Sequence, residues 1–252
     1  MRNIWTIARR EYDHYFASPI AYVVAFVILL TLGFIFWLVI SNAAQSAIQG
    51  GFGGGAPSAP GIDWMGSTFN FLLLLTIPAL TMRLVSDENR TGTMELLLTA
   101  PLRDWELIIG KWLGGFLFVL TILAVTLIYP IILNSLETPG IDQRLMMATY
   151  LSVILFSGAF LALGVGISSI FSNQIAAMFA TLGLFIFLWW LIGFPATSFQ
   201  NGSDVFNYLS TTTHLNSMYN GTINLADIVY FLSLTALGLF TGTVAIETRR
   251  WN

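Results

Sequence analysis

Residues 83–111 read RLVSDENRTGTMELLLTAPLRDWELIIGK, and they hold four of the chain's ten basic groups and five of its thirteen acidic ones. The stretch joins two apolar runs, 64–82 and 112–136, in which no residue is charged. Inside it lies a short apolar run of its own, Met94 to Leu98, fenced by Gly92 and Pro101. A connection that only had to cross water has no use for that run. Either a partner docks against it, or it lies as a short helix on lipid.

The rest of the chain reads as membrane. Hydrophobic residues make up 56% and charged residues 9%, where a soluble domain carries about 25% charged; mean hydropathy is +0.77. Uncharged stretches run over 14–62, 64–82, 112–136, 145–203 and 228–246. A membrane-crossing helix needs roughly 20 mostly apolar residues. The pattern predicts an all-α membrane protein, one transmembrane domain over 1–252, with six spans near 20–41, 66–85, 107–134, 145–170, 175–195 and 226–247. Arg2, Arg9, Arg10, Arg83, Arg90, Arg103, Lys111, Arg249 and Arg250 then fall on one side and Arg144 alone on the other. Basic residues collect in cytoplasmic loops, so both termini are expected in the cytoplasm.

Residues 2–16 form an amphipathic stripe. At about 100° per residue, Ile4, Trp5, Ala8, Tyr12, Tyr15 and Phe16 share one arc and Arg2, Thr6, Arg9, Arg10, Asp13 and His14 the other. That division suits a helix lying in the membrane interface, or a cytoplasmic extension of the first span. The glycine-rich stretch within 42–63 lacks the Lys-Ser or Lys-Thr of a phosphate loop and reads as a flexible linker on the outer side. Pro78 and Pro130 are expected to kink the second and third spans. Gly158, Ala162, Gly164, Gly166 and Ser168 make the fourth span a close-packing helix, and Ser172–Gln174 turns it tightly into the fifth, whose Trp189 and Trp190 mark the outer interface. Residues 196–225 are too apolar for a plain loop and are expected to hold one or two short helices dipping into the outer face.

Several chemistries are excluded or unsupported. No span carries a charge in its central turns, where one costs roughly 2.5–3.5 kcal/mol and is kept for a purpose, so an ion-coupled carrier is the weakest of the readings. Gly110-Lys111 is followed by Trp112, not by the Ser or Thr of a nucleotide-binding loop. His14 and His214 fall on opposite sides and cannot share a metal, while Ser210, His214 and Asp204 are what any polar loop offers. No cysteine is present, which removes thiolate chemistry. A net charge of −3 gives no support to nucleic-acid binding. The late, long apolar start near Pro19 does not fit a cleavable signal peptide. What remains is a pathway without an engine. In the 83–111 connection, Thr91 or Thr93 can cap a short helix with Glu95 in its first turn, and Asp104 is placed to cap the third span.

Residues Glu88–Pro101 (ENRTGTMELLLTAP), with Asp104-Trp105-Glu106 and Gly110-Lys111, resemble the permease subunits of ABC exporters of the type-2 class, nearest to the gliding-motility-associated group. The likeness extends to Ser18–Tyr22, Pro78–Arg83, Ile167–Ser169 with Asn173–Ala176, and Asn220–Leu234 with Arg249–Trp251, so it covers almost the whole chain. It implies a six-helix half-transporter in the cell membrane of a prokaryote, paired with a second copy or a sister permease. Separate ABC ATPase subunits would bind the ATP and magnesium, leaving this chain non-catalytic and without a cofactor. It further implies a coupling helix in which Glu88, Arg90, Gly92, Thr93, Glu95, Leu97, Leu98 and Pro101 meet the ATPase. An interfacial helix would carry Trp5, Arg9, Arg10 and Tyr12, and 196–225 would form an outer re-entrant element. No role is implied for the glycine-rich 50–61. An ATPase-driven mechanical or anchoring component that passes no substrate has the same coupling needs and stays open beside the exporter.

Overall fold

The computed structural model describes residues 2–50, 62–84, 103–136, 140–193 and 203–250. Among the described residues there is no strand; the elements are helices α1 (Arg2–Ala17), α2 (Pro19–Gly50), α3 (Asp63–Thr81), α4 (Asp104–Val125), α5 (Ile128–Leu136), α6 (Gln143–Ile170), α7 (Gln174–Ile186), α8 (Ser203–Leu209), α9 (Thr211–Tyr219) and α10 (Leu225–Arg250). Six helical stretches are long and apolar enough to cross a membrane: Ala21–Ser46, Asp63–Thr81, Asp104–Leu136, Gln143–Ile170, Gln174–Leu191 and Leu225–Thr248. The expected all-α, six-span architecture is present.

Local chemistry explains most boundaries. Asp142 and Asn173 cap α6 and α7, each side chain accepting from two backbone N–H groups of the first turn, the usual use of these residues. The third span starts one residue earlier than the sequence suggested. Arg103, not Asp104, is its N-cap, and Glu106 accepts from the Arg103 N–H at 3.3 Å. The first span runs longer than expected, staying helical to Gly50 instead of becoming a linker at residue 42. Ala43, Ala44, Gln45 and Ala47 are good helix formers, and the glycine run begins only at Gly50.

Pro130 breaks the third span, separating α4 from α5 at Thr126-Leu127. The proline cannot donate to the Thr126 carbonyl four residues back. That carbonyl accepts instead from the Tyr150 hydroxyl at 3.1 Å and the Tyr129 N–H at 3.0 Å. The fifth span ends in a wide π turn, Phe187–Leu191. It packs Trp189 edge-on against Phe156 and leaves Trp190 49% exposed.

Helix α6 is the axis of the bundle, and its small residues set how its neighbours lie. A Cβ on Gly66 or Gly164 would strike Thr149 or Thr81, so α3 runs parallel to α6. A Cβ on Gly166 would come within 2.6 Å of the Gly238 carbonyl oxygen, and one on Gly238 would strike the Ala162 backbone. The pairs Ala162/Gly166 and Gly238/Gly242 thus put α10 parallel to α6 at near backbone contact, the small-xxx-small packing of membrane helices. Helix α4 runs the other way: Trp112 Nε1 donates to Gly158 O at 2.8 Å, while Thr126 meets Tyr150. Spans two, four and six share one direction and span three opposes them. The start of α4 and the ends of α3 and α10 therefore gather at one end, the termini end.

Outward faces are apolar. Phe26, Trp37, Phe179 and Phe240 are each at least 60% exposed. Such a surface is unsupportable in water and is what lipid requires.

Candidate functional site

The eight residues expected to couple to an ATPase, Glu88, Arg90, Gly92, Thr93, Glu95, Leu97, Leu98 and Pro101, lie outside the described residues. Their two stems are described. The leading stem is the end of α3, which closes in a turn to Leu84 with Leu84 N–H on Thr81 O at 3.1 Å. It is pinned to α6 by the Gly164 seat and by Ser168, whose hydroxyl donates to Met82 O at 3.5 Å. The trailing stem is the start of α4.

Helix α1 holds both stems. It runs parallel to α4 in a constant register, with Ile7 over Gly110, Glu11 over Gly114 and Tyr15 over Phe118. A Cβ on Gly110 would lie 2.7 Å from Ile7, and one on Gly114 would lie 2.6 Å from Glu11 Cβ; glycine at both positions lets the helices touch. Asn3 Nδ2 donates to Glu106 Oε2 at 3.3 Å, and the Tyr12 hydroxyl pairs with Thr121 Oγ1 at 3.0 Å. Tyr15 stacks on Phe118 at 5.0 Å and donates to Leu80 O of α3 at 3.3 Å. Burial, with the Glu11 charge nearby, raises the Tyr15 phenol above its ordinary value, which keeps it a donor.

At the centre of the seam Lys111 Nζ bonds Glu11 Oε1 at 3.0 Å, with side chains 2% and 12% exposed. Lys111 is the only lysine in the chain. A buried ion pair of this kind is costly to break, because the survivor stays desolvated. Lys111 was noted in the sequence beside Gly110, but Glu11 was not, although it falls on the arc of Ile4, Ile7, Ala8 and Tyr15. That arc, not the aromatic one, faces inward: Ala8 and Tyr15 are buried, while Trp5 is 58% and Phe16 37% exposed. Of the four residues expected on an interfacial helix, Trp5, Arg9 and Arg10 are exposed and Tyr12 is half-buried against Thr121.

The opposite, far end carries a second buried polar cluster. His214 Nδ1 lies 2.6 Å from Asp227 Oδ1 and Nε2 lies 2.7 Å from Tyr208 O. A carbonyl can only accept, so Nε2 carries a proton. Asp227 Oδ2 accepts from the Ser217 hydroxyl and, at 3.3 Å, from Asn224 Nδ2, the surroundings of a carboxylate. The Tyr230 ring stacks on His214 at 4.2 Å, and its hydroxyl donates to Leu209 O at 2.9 Å. The aspartate stands between serine and histidine, so no hydroxyl is aimed at the imidazole as nucleophilic catalysis requires. Asp204 is exposed and Ser210 pairs with Thr212, so the Ser210, His214, Asp204 set does not assemble. The cluster is structural. It fastens α8 and α9, the short helices expected within 196–225, onto the first turn of α10.

Beside it, Asp63, Ser67, Asp142, Leu145, Asn216, Tyr219 and Asn220 line an open cavity of about 680 Å³. Beneath its floor Asn70 Nδ2 reaches the Tyr219 hydroxyl at 2.7 Å. Burial pushes the Tyr219 phenol up from its ordinary value. Among the described residues no group of three or more His, Cys, Asp or Glu is placed to hold a metal.

Residues 5–248 match a family profile described as ABC-2 family transporter protein. Among curated proteins, none matches the sequence.

Proposed function

We propose that this chain, which belongs to the ABC-2 transporter family, works as a permease that a separate ATPase drives through the 85–102 connection. The permease role follows from the family, and the six spans make it a multi-pass membrane protein. The proposal adds the route of the force. The observation that carries it is the clasp of α1 on both stems, through Leu80 O on one side and Glu106, Gly110, Lys111 and Gly114 on the other. A push on the connection moves α1 with it, and α1 is separated from the first span by Ser18 alone. The same push reaches α6 through Thr81 and Met82. The nine of ten basic residues that the sequence assigns to this side support its facing the cytoplasm, where the ATPase would bind ATP and magnesium. Two permease copies, or this chain and a sister permease, would enclose the exported molecule between them. The motifs around Glu88–Pro101 favour the gliding-motility-associated branch of the family.

The test uses Glu95→Lys and Leu97→Asp in the full complex. Both variants should insert normally yet lose transport-linked ATP hydrolysis by tenfold or more, about 1.4 kcal/mol of lost coupling. Normal ATPase capture and normal transport by both would defeat the docking assignment. Hydrolysis that couples with no transported species would favour the mechanical component instead.

A further inference from the structure

The α1–α4 seam leaves a groove on one flank, a cavity of about 570 Å³ lined by Trp5, Arg9, Tyr12 and Asp13 of α1 and by Leu117, Leu120, Thr121 and Ala124 of α4. Its polarity is graded. The parallel register sets Trp5 and Arg9 nearer the termini end. The α4 wall begins at Leu117 and continues toward the far end, past the level at which α1 stops. One end of the groove thus offers an exposed guanidinium beside an indole. The other offers leucine and alanine; the polar groups along it are Asp13 and the Tyr12–Thr121 hydroxyl pair, which is satisfied internally at 3.0 Å.

We propose that this groove is a binding site for a bilayer phospholipid with an anionic head, its phosphate on Arg9 and one acyl chain along Leu117, Leu120 and Ala124. Two features of the groove select that occupant. A guanidinium binds phosphate in bidentate fashion and stacks well beside aromatic groups. The apolar wall lies on the membrane-ward side of the charge, the order of a phospholipid and the reverse of what a soluble anion needs. Asp13, one turn beyond Arg9, repels the phosphate and limits the affinity. A lipid seated here would brace α1 against α4, the clasp through which the connection is proposed to act. The inference rests on that reading's cytoplasmic facing of the termini end, but its measurement reads the groove and not transport.

The experiment is native mass spectrometry of the detergent-purified full chain in mixed micelles of phosphatidylglycerol and phosphatidylcholine. The wild type should retain phosphatidylglycerol in preference. A basic residue at an anionic lipid surface is worth about 1 kcal/mol, roughly fivefold, so Arg9→Gln should lower the preference by about that factor. Asp13→Asn should raise it, and Ala124→Trp, which fills the apolar end, should reduce retention of both lipids. Arg9, Asp13 and Ala124 are exposed, so an unchanged melting temperature will show that each variant is folded. Equal retention of both lipids by the wild type, meaning annular lipid only, overturns the site. So does an undiminished preference in folded Arg9→Gln.

Discussion

At the termini end, α1 is fastened to α4 along four turns, by glycine seats at Gly110 and Gly114, one buried ion pair and a stacked tyrosine. At the far end, α8 and α9 are fastened mainly by a compact knot, in which His214, Asp227, Ser217 and Tyr230 bond within two turns of one another, with Tyr219 bonded separately to Asn70. The seam is long and in register, so it can move only as a body. The knot is local. Helices of seven and nine residues are too short to hold their form alone, so their position depends on bonds that can be broken one at a time.

Breaking the seam should give the largest effect. Lys111→Met leaves Glu11 buried and unpaired, a loss of about 3–5 kcal/mol, read as a drop in melting temperature of the purified protein. The double variant Glu11→Met with Lys111→Met should recover most of it, since apolar replacement of a whole buried pair is commonly near neutral. Non-recovery would mean that the charges act beyond the pair. Because Lys111 is the sole lysine and its side chain is 2% exposed, the folded wild type should also resist amine-directed acetylation at that side chain.

The knot should yield less and more locally. Asp227→Asn removes a charged acceptor that serves His214, Ser217 and Asn224, worth about 1.5–3 kcal/mol for a hydrogen bond to an ionised group. Amide hydrogen exchange should rise over 203–219 while α6 stays protected. If protection is lost through α6 as well, the two ends are one cooperative unit and the contrast between them fails.

How much of this was legible depends on what each feature answers to. The spans were readable because the bilayer fixes their length and tolerates no exposed backbone. The alternating direction followed from counting them. Gly158, Ala162, Gly164 and Gly166 announced a close-packed helix, but not that Ala162 and Gly166 meet Gly238 while Gly164 meets Thr81. That choice belongs to helices more than 70 residues away. The orientation of α1 was misread for the same reason. Aromatic content suggested an arc through Trp5 and Phe16, whereas the glycines of α4 decide which arc fits, and they select Ile7 and Glu11. Asp227 was missed because its charge sits at the start of a span, where an acid suits the helix dipole and calls for no other explanation. The coupling residues, the most specific part of the sequence, lie outside the described residues, so the structure bears on them only through their stems.

The smallest expected effect falls between the two ends, at the break in the third span. Tyr150→Phe removes one donor from Thr126 O while the Tyr129 N–H remains on it, so the loss should be about 1 kcal/mol, below that of either end. Pro130 is the reason the hydroxyl is needed, and a double-mutant cycle isolates this dependence. In a Pro130→Ala background the backbone N–H at 130 can return to Thr126 O, and Tyr150→Phe should then cost less than it does beside proline. An unchanged cost in both backgrounds would show that Tyr150 serves the packing of α6 on α4 and not the broken ladder. In that case the bend at 126–127 is held by the shape of its neighbours rather than by the bond.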